Sequence, residues 1–191
     1  MFDVDFISYI IMTYSETSSY DPYIICDYED IDIVYTNQLP NKVSGLASPE
    51  MRTIFMDDSL EDTNFKKFLL AHELYHVLYH EGVMTYHDSY NLNKNKLEFE
   101  SNRGATTLLL LEYISNDEIP IEYLTLEHFM TSYSIPQELR SEVSLMATSL
   151  LLTFADATWH LKGTKSLELI QRLHRLRNIT ANPPRQIFYA Q

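Results

Sequence analysis

Residues 62–82 constrain the fold of this chain more than any other segment. Asp62 or Thr63 can cap a helix that runs to Glu81, and Gly82 stands where glycine commonly ends a helix. Apolar and histidine side chains cover most of the surface of this predicted helix: Phe65, Leu69, Leu70, His72, Leu74, His76 and Val77. A helix with so little polar surface is buried. The remaining elements must therefore pack around it.

The middle of this helix reads His72-Glu73-Leu74-Tyr75-His76, a pattern suited to a metal ion. Histidines four residues apart lie about 40° apart around a helix and one turn along it, so both imidazoles can reach one cation. Imidazole nitrogen suits Zn²⁺ and related divalent metals. Glu73 points to the side of such an ion, where it can take a proton from water without binding the metal.

A catalytic zinc site needs a third protein ligand and one open position, and a second predicted helix at 94–113 offers a carboxylate. Glu98 and Asn102 are four residues apart and share a helix face. We expect Glu98 to bind the metal and Asn102 to orient the outer nitrogen of a ligating histidine. Glu100 is an alternative ligand, although it lies about 200° around the helix from Glu98. His80, one further turn along the first helix, is another alternative, about 80° off the first histidine.

The segments around these helices predict a small sheet and several further helices. Residues 1–20 read as weakly helical at best, and the β-branched residues of 23–34 predict extended chain. Residues 37–49 read as a loop, and 52–56 as a strand. We therefore expect a mostly antiparallel sheet of three or four strands. Three helices are predicted after the metal helices, at 124–133, 136–159 and 165–177.

Together these elements predict an α+β fold, with a small sheet beside the two metal helices and an all-helical remainder. We expect residues 1–115 to form the core and residues 116–191 to form a helical region that packs on it. If such a metal site acts on a peptide, we expect the peptide to lie along an exposed sheet edge, for which we favour 52–56. Tyr86 and His87, in the loop between the metal helices, are candidate stabilisers of a developing oxyanion.

Composition and charge exclude several functional classes. The four glycines are too far apart for a phosphate-binding loop, and Cys26 is the single cysteine, so no intrachain disulfide can form. The formal net charge of −13 disfavours nucleic acid, and only the last 35 residues, with six basic groups and one acidic, offer a basic surface. The first residues, MFDVD, are acidic, and no apolar run could span a bilayer. We expect a cytoplasmic protein that contacts neither membrane nor, directly, nucleic acid.

The sequence resembles the ImmA/IrrE metallo-endopeptidases, which occur in phages, mobile elements and stress-response proteins of bacteria. The similar stretches lie within roughly residues 43–140: Ser44–Leu46, Thr53–Phe55, Leu70–His76 with His80, Glu98-x-Glu100-x-Asn102 with Ala105 and Leu108–Leu111, and Leu126–Leu139. The sequence departs from the family pattern at Tyr75, where relatives commonly have glycine, and at Ser101, where they commonly have alanine.

This resemblance implies a zincin-like fold and a peptidase site. It implies that His72, His76 and Glu98 hold Zn²⁺, with Mn²⁺ as the alternative metal, and that Glu73 is the general base. Characterised relatives cut helix-turn-helix repressors and so derepress phage, mobile-element or stress genes, which implies a repressor as partner and substrate. Two alternatives remain open: a non-catalytic metal-containing binding module, and a general peptidase without a repressor substrate. The oligomeric state is not predicted.

Overall fold

The structure is a computed structural model that describes residues 4–40, 43–80, 92–120 and 123–157. In chain order its elements are α1 (Val4–Thr17), α2 (Pro22–Tyr28), β1 (Asp32–Thr36), β2 (Gly45–Ser48), β3 (Thr53–Asp57), α3 (Thr63–Tyr79), α4 (Leu92–Ser115), α5 (Leu126–Ser132), a 3₁₀ turn (Gln137–Leu139) and α6 (Arg140–Ala157). The α+β architecture is the predicted one. No helix among these residues is long and apolar enough to cross a membrane.

The sheet is mixed rather than mostly antiparallel. Its strand order is β1-β3-β2, with β1 parallel and β2 antiparallel to β3. A short turn joins β2 to β3 and makes that pair antiparallel, while β1 pairs with the far side of β3. The strand predicted at 52–56 is therefore the central one, paired on both sides, and cannot be the edge that receives a peptide. Among the described residues, β1 and β2 are the outer strands of this sheet.

Two helices replace segments predicted as weakly helical or extended. In α1, Phe6, Ile10 and Thr13 recur on one buried face, and packing of that face outweighs the modest helix propensity of isoleucine. In α2, the Asp21 side chain accepts a hydrogen bond from the Tyr23 backbone N–H, with proline in the first turn. This cap starts a helix where the β-branched residues alone favour a strand.

Helices α3 and α4 pack closely against each other, and this contact fixes the orientation of α3. Gly104 of α4 faces the ring of Tyr75, and a Cβ at this position would overlap that ring. Tyr75 is buried and also packs edge-to-face on Phe6 of α1, with ring centroids 4.9 Å apart. The tyrosine that departs from the family pattern therefore lies between α1 and α4, where Gly104 provides the space that it needs.

The remaining described helices cover the other side of α4. Phe129 and Met130 of α5 and Val143 and Ala147 of α6 join the core that contains α4 residues Leu108–Leu111. The helices predicted at 124–133 and 136–159 are therefore present as α5 and as the 3₁₀ turn with α6. The helix predicted at 165–177 lies outside the described residues. The proposed boundary between 1–115 and 116–191 stays a prediction.

Candidate metal centre

Helix α3 carries its histidines into the interior because its whole second half is enclosed. The Asp62 side chain caps the helix by accepting from the backbone N–H groups of Asn64 and Phe65. Residues Ala71–Val77 are then all buried, and the exposed fraction is 9% for His72 and 1% for His76. Buried imidazoles need partners, so their surroundings determine what they can do.

The structure brings His72, His76 and Glu98 together. The two Nε2 atoms lie 3.2 Å apart. Glu98 Oε2 lies 3.3 Å from His72 Nε2, and Glu98 Oε1 lies 3.8 Å from His76 Nε2. In the described part of the chain, the donor atoms of these three residues lie close enough together to form a candidate metal site.

Asn102 lies on the outer side of His72. Its Oδ1 is 2.9 Å from His72 Nδ1, and an amide oxygen can only accept, so Nδ1 carries the proton. The lone pair of His72 is therefore on Nε2, which faces the other two donor groups. This is the position and the contact that the helical spacing predicts for Asn102.

Glu73 lies beside the three donors and contacts the sheet. Its side chain is 6% exposed, and its carboxylate accepts a hydrogen bond from the backbone N–H of Ala47 in β2. Gly45, also in β2, makes room for it: a Cβ there would lie 2.9 Å from Glu73 Oε1. Both residues fall in a segment predicted as a loop. The Ser44–Leu46 stretch quoted for the resemblance was the available signal for them.

Burial and neighbouring charge shift the pKa values of these groups in different directions. Burial raises the pKa of Glu73 to about 7, helped by Glu98 and opposed by His72 and the Ala47 N–H. Burial and the neighbouring His72 lower the pKa of His76 to about 3. Burial would also lower the pKa of His72, but its bonding to Glu98 and the charge of Glu73 raise it overall. Of these two imidazoles, His72 therefore binds a proton more readily than His76.

The donor set fits a divalent cation such as Zn²⁺. Four ligands at about 2.0–2.1 Å from a tetrahedral ion lie roughly 3.3–3.4 Å from one another. The 3.2 Å between the two Nε2 atoms and the 3.3 Å from His72 Nε2 to Glu98 Oε2 are close to this value, and the other Glu98 oxygen lies 3.8 Å from His76 Nε2. Two neutral imidazoles and a carboxylate are also the ligand types that zinc takes in peptidase sites.

Two predicted site residues cannot be placed. Tyr86 and His87, the candidate oxyanion stabilisers, lie outside the described residues.

Glu100 and His80, considered above as alternative ligands, do not join the group of three. They face each other instead, with Glu100 Oε2 3.4 Å from His80 Nε2.

The sequence of this chain matches a known protein family. The family model described as peptidase M78, IrrE N-terminal-like domain, matches residues 26–124, just over half of the chain. The chain belongs to this family. Searches of curated proteins and of solved structures gave no significant match. The matched M78 region contains the whole sheet, α3 and α4, and hence each of the converging donors.

Membership in the M78 family supports a zincin-like fold and a peptidase type of function. Two histidines and a glutamate are buried on one helix of the matched domain. Without a bound cation, such a set costs stability.

Proposed function

We propose that this protein is a zinc-dependent endopeptidase of the ImmA/IrrE type. The observation that carries the proposal is the convergence of His72, His76 and Glu98, with Glu73 buried beside them. Zn²⁺ is the expected metal and Mn²⁺ the alternative. The three donors leave room for solvent in a tetrahedral shell, which is typical of catalytic rather than structural zinc.

The residues divide the work of peptide hydrolysis. His72, His76 and Glu98 would hold the cation, and Asn102 fixes the ring of His72. Bound there, a divalent ion supplies Lewis acidity, which lowers the pKa of water and polarises a peptide carbonyl. Glu73 takes a proton from the attacking water onto its carboxylate and delivers it to the leaving amine. In the metal-free chain, burial raises the pKa of Glu73 to about 7, close to the value at which a general base works best at neutral pH.

The edge of β2 is the better position for a peptide. The backbone N–H of Ala47 leaves this strand toward Glu73, so the edge of β2 that faces away from β3 borders the proposed site. A peptide in extended conformation could add to this edge through backbone hydrogen bonds. Such pairing would bring a scissile bond near Glu73 without any specific side-chain pocket.

A helix-turn-helix repressor is the substrate that we propose, on the basis of family resemblance. Its cleavage would derepress the genes of a phage or other mobile element. The test incubates the zinc-loaded full chain with the repressor encoded beside its gene, and identifies new termini by mass spectrometry. We expect one principal cut that a chelator abolishes.

Glu73→Gln separates catalysis from metal binding. The variant should keep its zinc affinity and lose at least ~10²–10⁴ of the cleavage rate, because the amide cannot take the proton. Glu61→Gln, an exposed glutamate just before α3, is the matched control and should cut normally. An unchanged cleavage rate in Glu73→Gln would rule out the mechanism.

Two alternative functions predict other results. A general peptidase would also cut a generic peptide mixture, whereas a repressor-specific enzyme would leave it intact. A non-catalytic binding module would bind zinc and cut neither substrate. That reading needs a fourth protein ligand, and within the described residues the group has three members.

A further inference from the structure

The outer nitrogen of His76, Nδ1, has a hydrogen-bond partner, as that of His72 does. The partner of His76 is a histidine, whereas that of His72 is Asn102. His80 Nδ1 lies 2.7 Å from His76 Nδ1. The His80 side chain is buried, with an exposed fraction of 7% for the residue, and its ring also packs on Tyr75, with centroids 5.4 Å apart. The contact is therefore held by packing, and one of the two facing nitrogens must donate to the other.

The direction of this hydrogen bond decides whether His76 can bind a metal. If His76 Nδ1 carries the proton, then its lone pair is on Nε2, which faces Glu98 and His72. If His80 Nδ1 carries the proton, then His76 Nδ1 is the acceptor and a neutral His76 is protonated on Nε2. That second arrangement places a hydrogen where the metal must bind.

Glu100 selects between these two arrangements. Its Oε2 lies 3.4 Å from His80 Nε2, an atom that is buried and has no well-aligned hydrogen-bond partner. A carboxylate at this position favours a proton on His80 Nε2. His80 Nδ1 is then an acceptor, and His76 Nδ1 must donate to it.

We propose that Glu100 and His80 are a positioning pair that keeps the His76 imidazole protonated on Nδ1, so that Nε2 is free for the metal. The order of contacts is Glu100 to His80 to His76. Neither residue touches the ion, and the pair does for His76 what Asn102 does for His72. This inference rests on the proposed metal site and adds to it two residues that would otherwise be read as alternative ligands.

The first measurement needs no metal. Nitrogen-15 NMR of the metal-free full chain at pH 8 reports which ring nitrogen of His76 is protonated. We expect the Nδ1–H tautomer in the native protein and a shift toward Nε2–H in His80→Phe, which keeps a ring but loses the acceptor. A native His76 protonated on Nε2 would overturn the proposal.

The second measurement is zinc affinity by competition with a chelating indicator. Loss of an outer partner typically weakens metal binding about 10–100-fold, and we expect this for His80→Phe and about tenfold for Glu100→Leu, which removes the acceptor for His80 Nε2–H. In His80→Gln, the amide oxygen can accept from His76 without help, so binding should be largely restored. Adding Glu100→Leu to that variant should change nothing further.

Lys96→Ala is the matched control for Glu100→Leu. Lys96 Nζ lies 3.6 Å from Glu100 Oε1 and is exposed, so its removal perturbs the same carboxylate without touching His80. Its zinc affinity should equal that of the native chain. If His80→Phe does not fold, Glu100→Leu and this control still decide the matter. Native binding with unchanged affinity in Glu100→Leu refutes the positioning pair alone, whereas no zinc binding by the native chain refutes the proposed function.

Discussion

Helices α3 and α4 hold two polar clusters between them, and the clusters differ in the source of their positive charge. In the lysine cluster, Lys67 Nζ lies 2.8 Å from Asp21 Oδ2 and also pairs with Glu112, and the Tyr133 hydroxyl donates to Glu112 Oε2 at 3.1 Å. In the histidine cluster (His72, Glu73, His76 and Glu98), the positive charge can come only from a shared proton or an added cation.

This difference separates a structural cluster from a functional one. The ammonium of Lys67 is permanent at neutral pH, and burial, which would lower its pKa, is outweighed by the two carboxylates that raise it. The histidine cluster is more deeply buried and keeps a carboxylate, Glu73, with a pKa near 7. Buried groups with such shifted pKa values are typical of functional sites. The lysine cluster contains its own cation, whereas the histidine cluster would be completed by the metal ion that we propose.

The largest expected effect is that of the metal on stability. At a free Zn²⁺ concentration a thousandfold above the dissociation constant, the free energy of unfolding should rise by about 4 kcal/mol. Urea unfolding with zinc and with a chelator measures this difference. His76→Leu should abolish the gain, and Lys67→Met should keep it. Equal stability of the native chain with zinc and with chelator would contradict a metal site in the histidine cluster.

The next effect tests the lysine cluster. Lys67→Met leaves Asp21 and Glu112 without their cation, and we expect a loss of about 3 kcal/mol, somewhat reduced by the partial exposure of all three groups. Burial already raises the pKa of Glu112 and Lys67 opposes that rise. The loss should therefore shrink at acidic pH, where the Glu112 carboxylate becomes neutral.

Lys66→Met provides the control for that substitution. Lys66 is the adjacent residue, and its Nζ lies 5.9 Å from the centre of the Tyr35 ring rather than between carboxylates. Its replacement should cost less than about 1 kcal/mol. A similar loss in both variants would show that the stability of α3, and not the lysine cluster, was being measured.

The histidine cluster was more predictable from sequence than the sheet beside it. Helical spacing within α3 and α4 is a local rule, and it predicted that His72 and His76 share one helix face and that Glu98 and Asn102 share another. The interhelical approach that joins them depends on Gly104, whose role appears only when Tyr75 is seen against it. Spacing therefore identified the donors, and packing determined that they meet.

The sheet was less predictable because pairing is not local. The residues of α2 favour strands by propensity, and a cap at Asp21 overrides them. Gly45–Ser48 reads as a turn, yet pairs with β3 and supplies the backbone N–H that contacts Glu73. The lysine cluster joins residues far apart in sequence, such as Lys67 and Glu112, and no spacing rule indicates it.

Glu73→Gln should make the metal-free protein more stable at alkaline pH, by about 2–3 kcal/mol. The folded-state pKa of about 7 lies above the ordinary value of 4.5, so folding demands a proton that the unfolded chain has released. This cost is absent below pH 4.5, grows as pH rises to 7 and is then constant. The low pKa of His76 acts in the opposite direction, removing stability as pH falls from 6.5 toward 3, but it does so in both proteins.

Chemical unfolding of Glu73→Gln and the native chain at pH 8 and pH 4 measures this difference. The gain should appear at pH 8 and vanish at pH 4. Glu61→Gln, at an exposed glutamate, should show no gain at either pH. A native chain as stable as Glu73→Gln at pH 8 would mean that Glu73 is ionised at little cost, and the contrast between the two clusters would be lost.

The smallest effect separates a charge partner from a hydrogen-bond partner within the lysine cluster. Tyr133→Phe removes one donor from Glu112 but leaves Lys67 in place, so we expect a loss of only about 1 kcal/mol in urea unfolding. Tyr28→Phe, at an exposed tyrosine, should change stability by less than about 0.5 kcal/mol. In the Lys67→Met background, the Tyr133 hydroxyl is the remaining side-chain donor to Glu112 among the described contacts. Tyr133→Phe should therefore lower the free energy of unfolding more in that background than in the native chain. Simple additivity of the two losses would show that the groups do not act as one cluster.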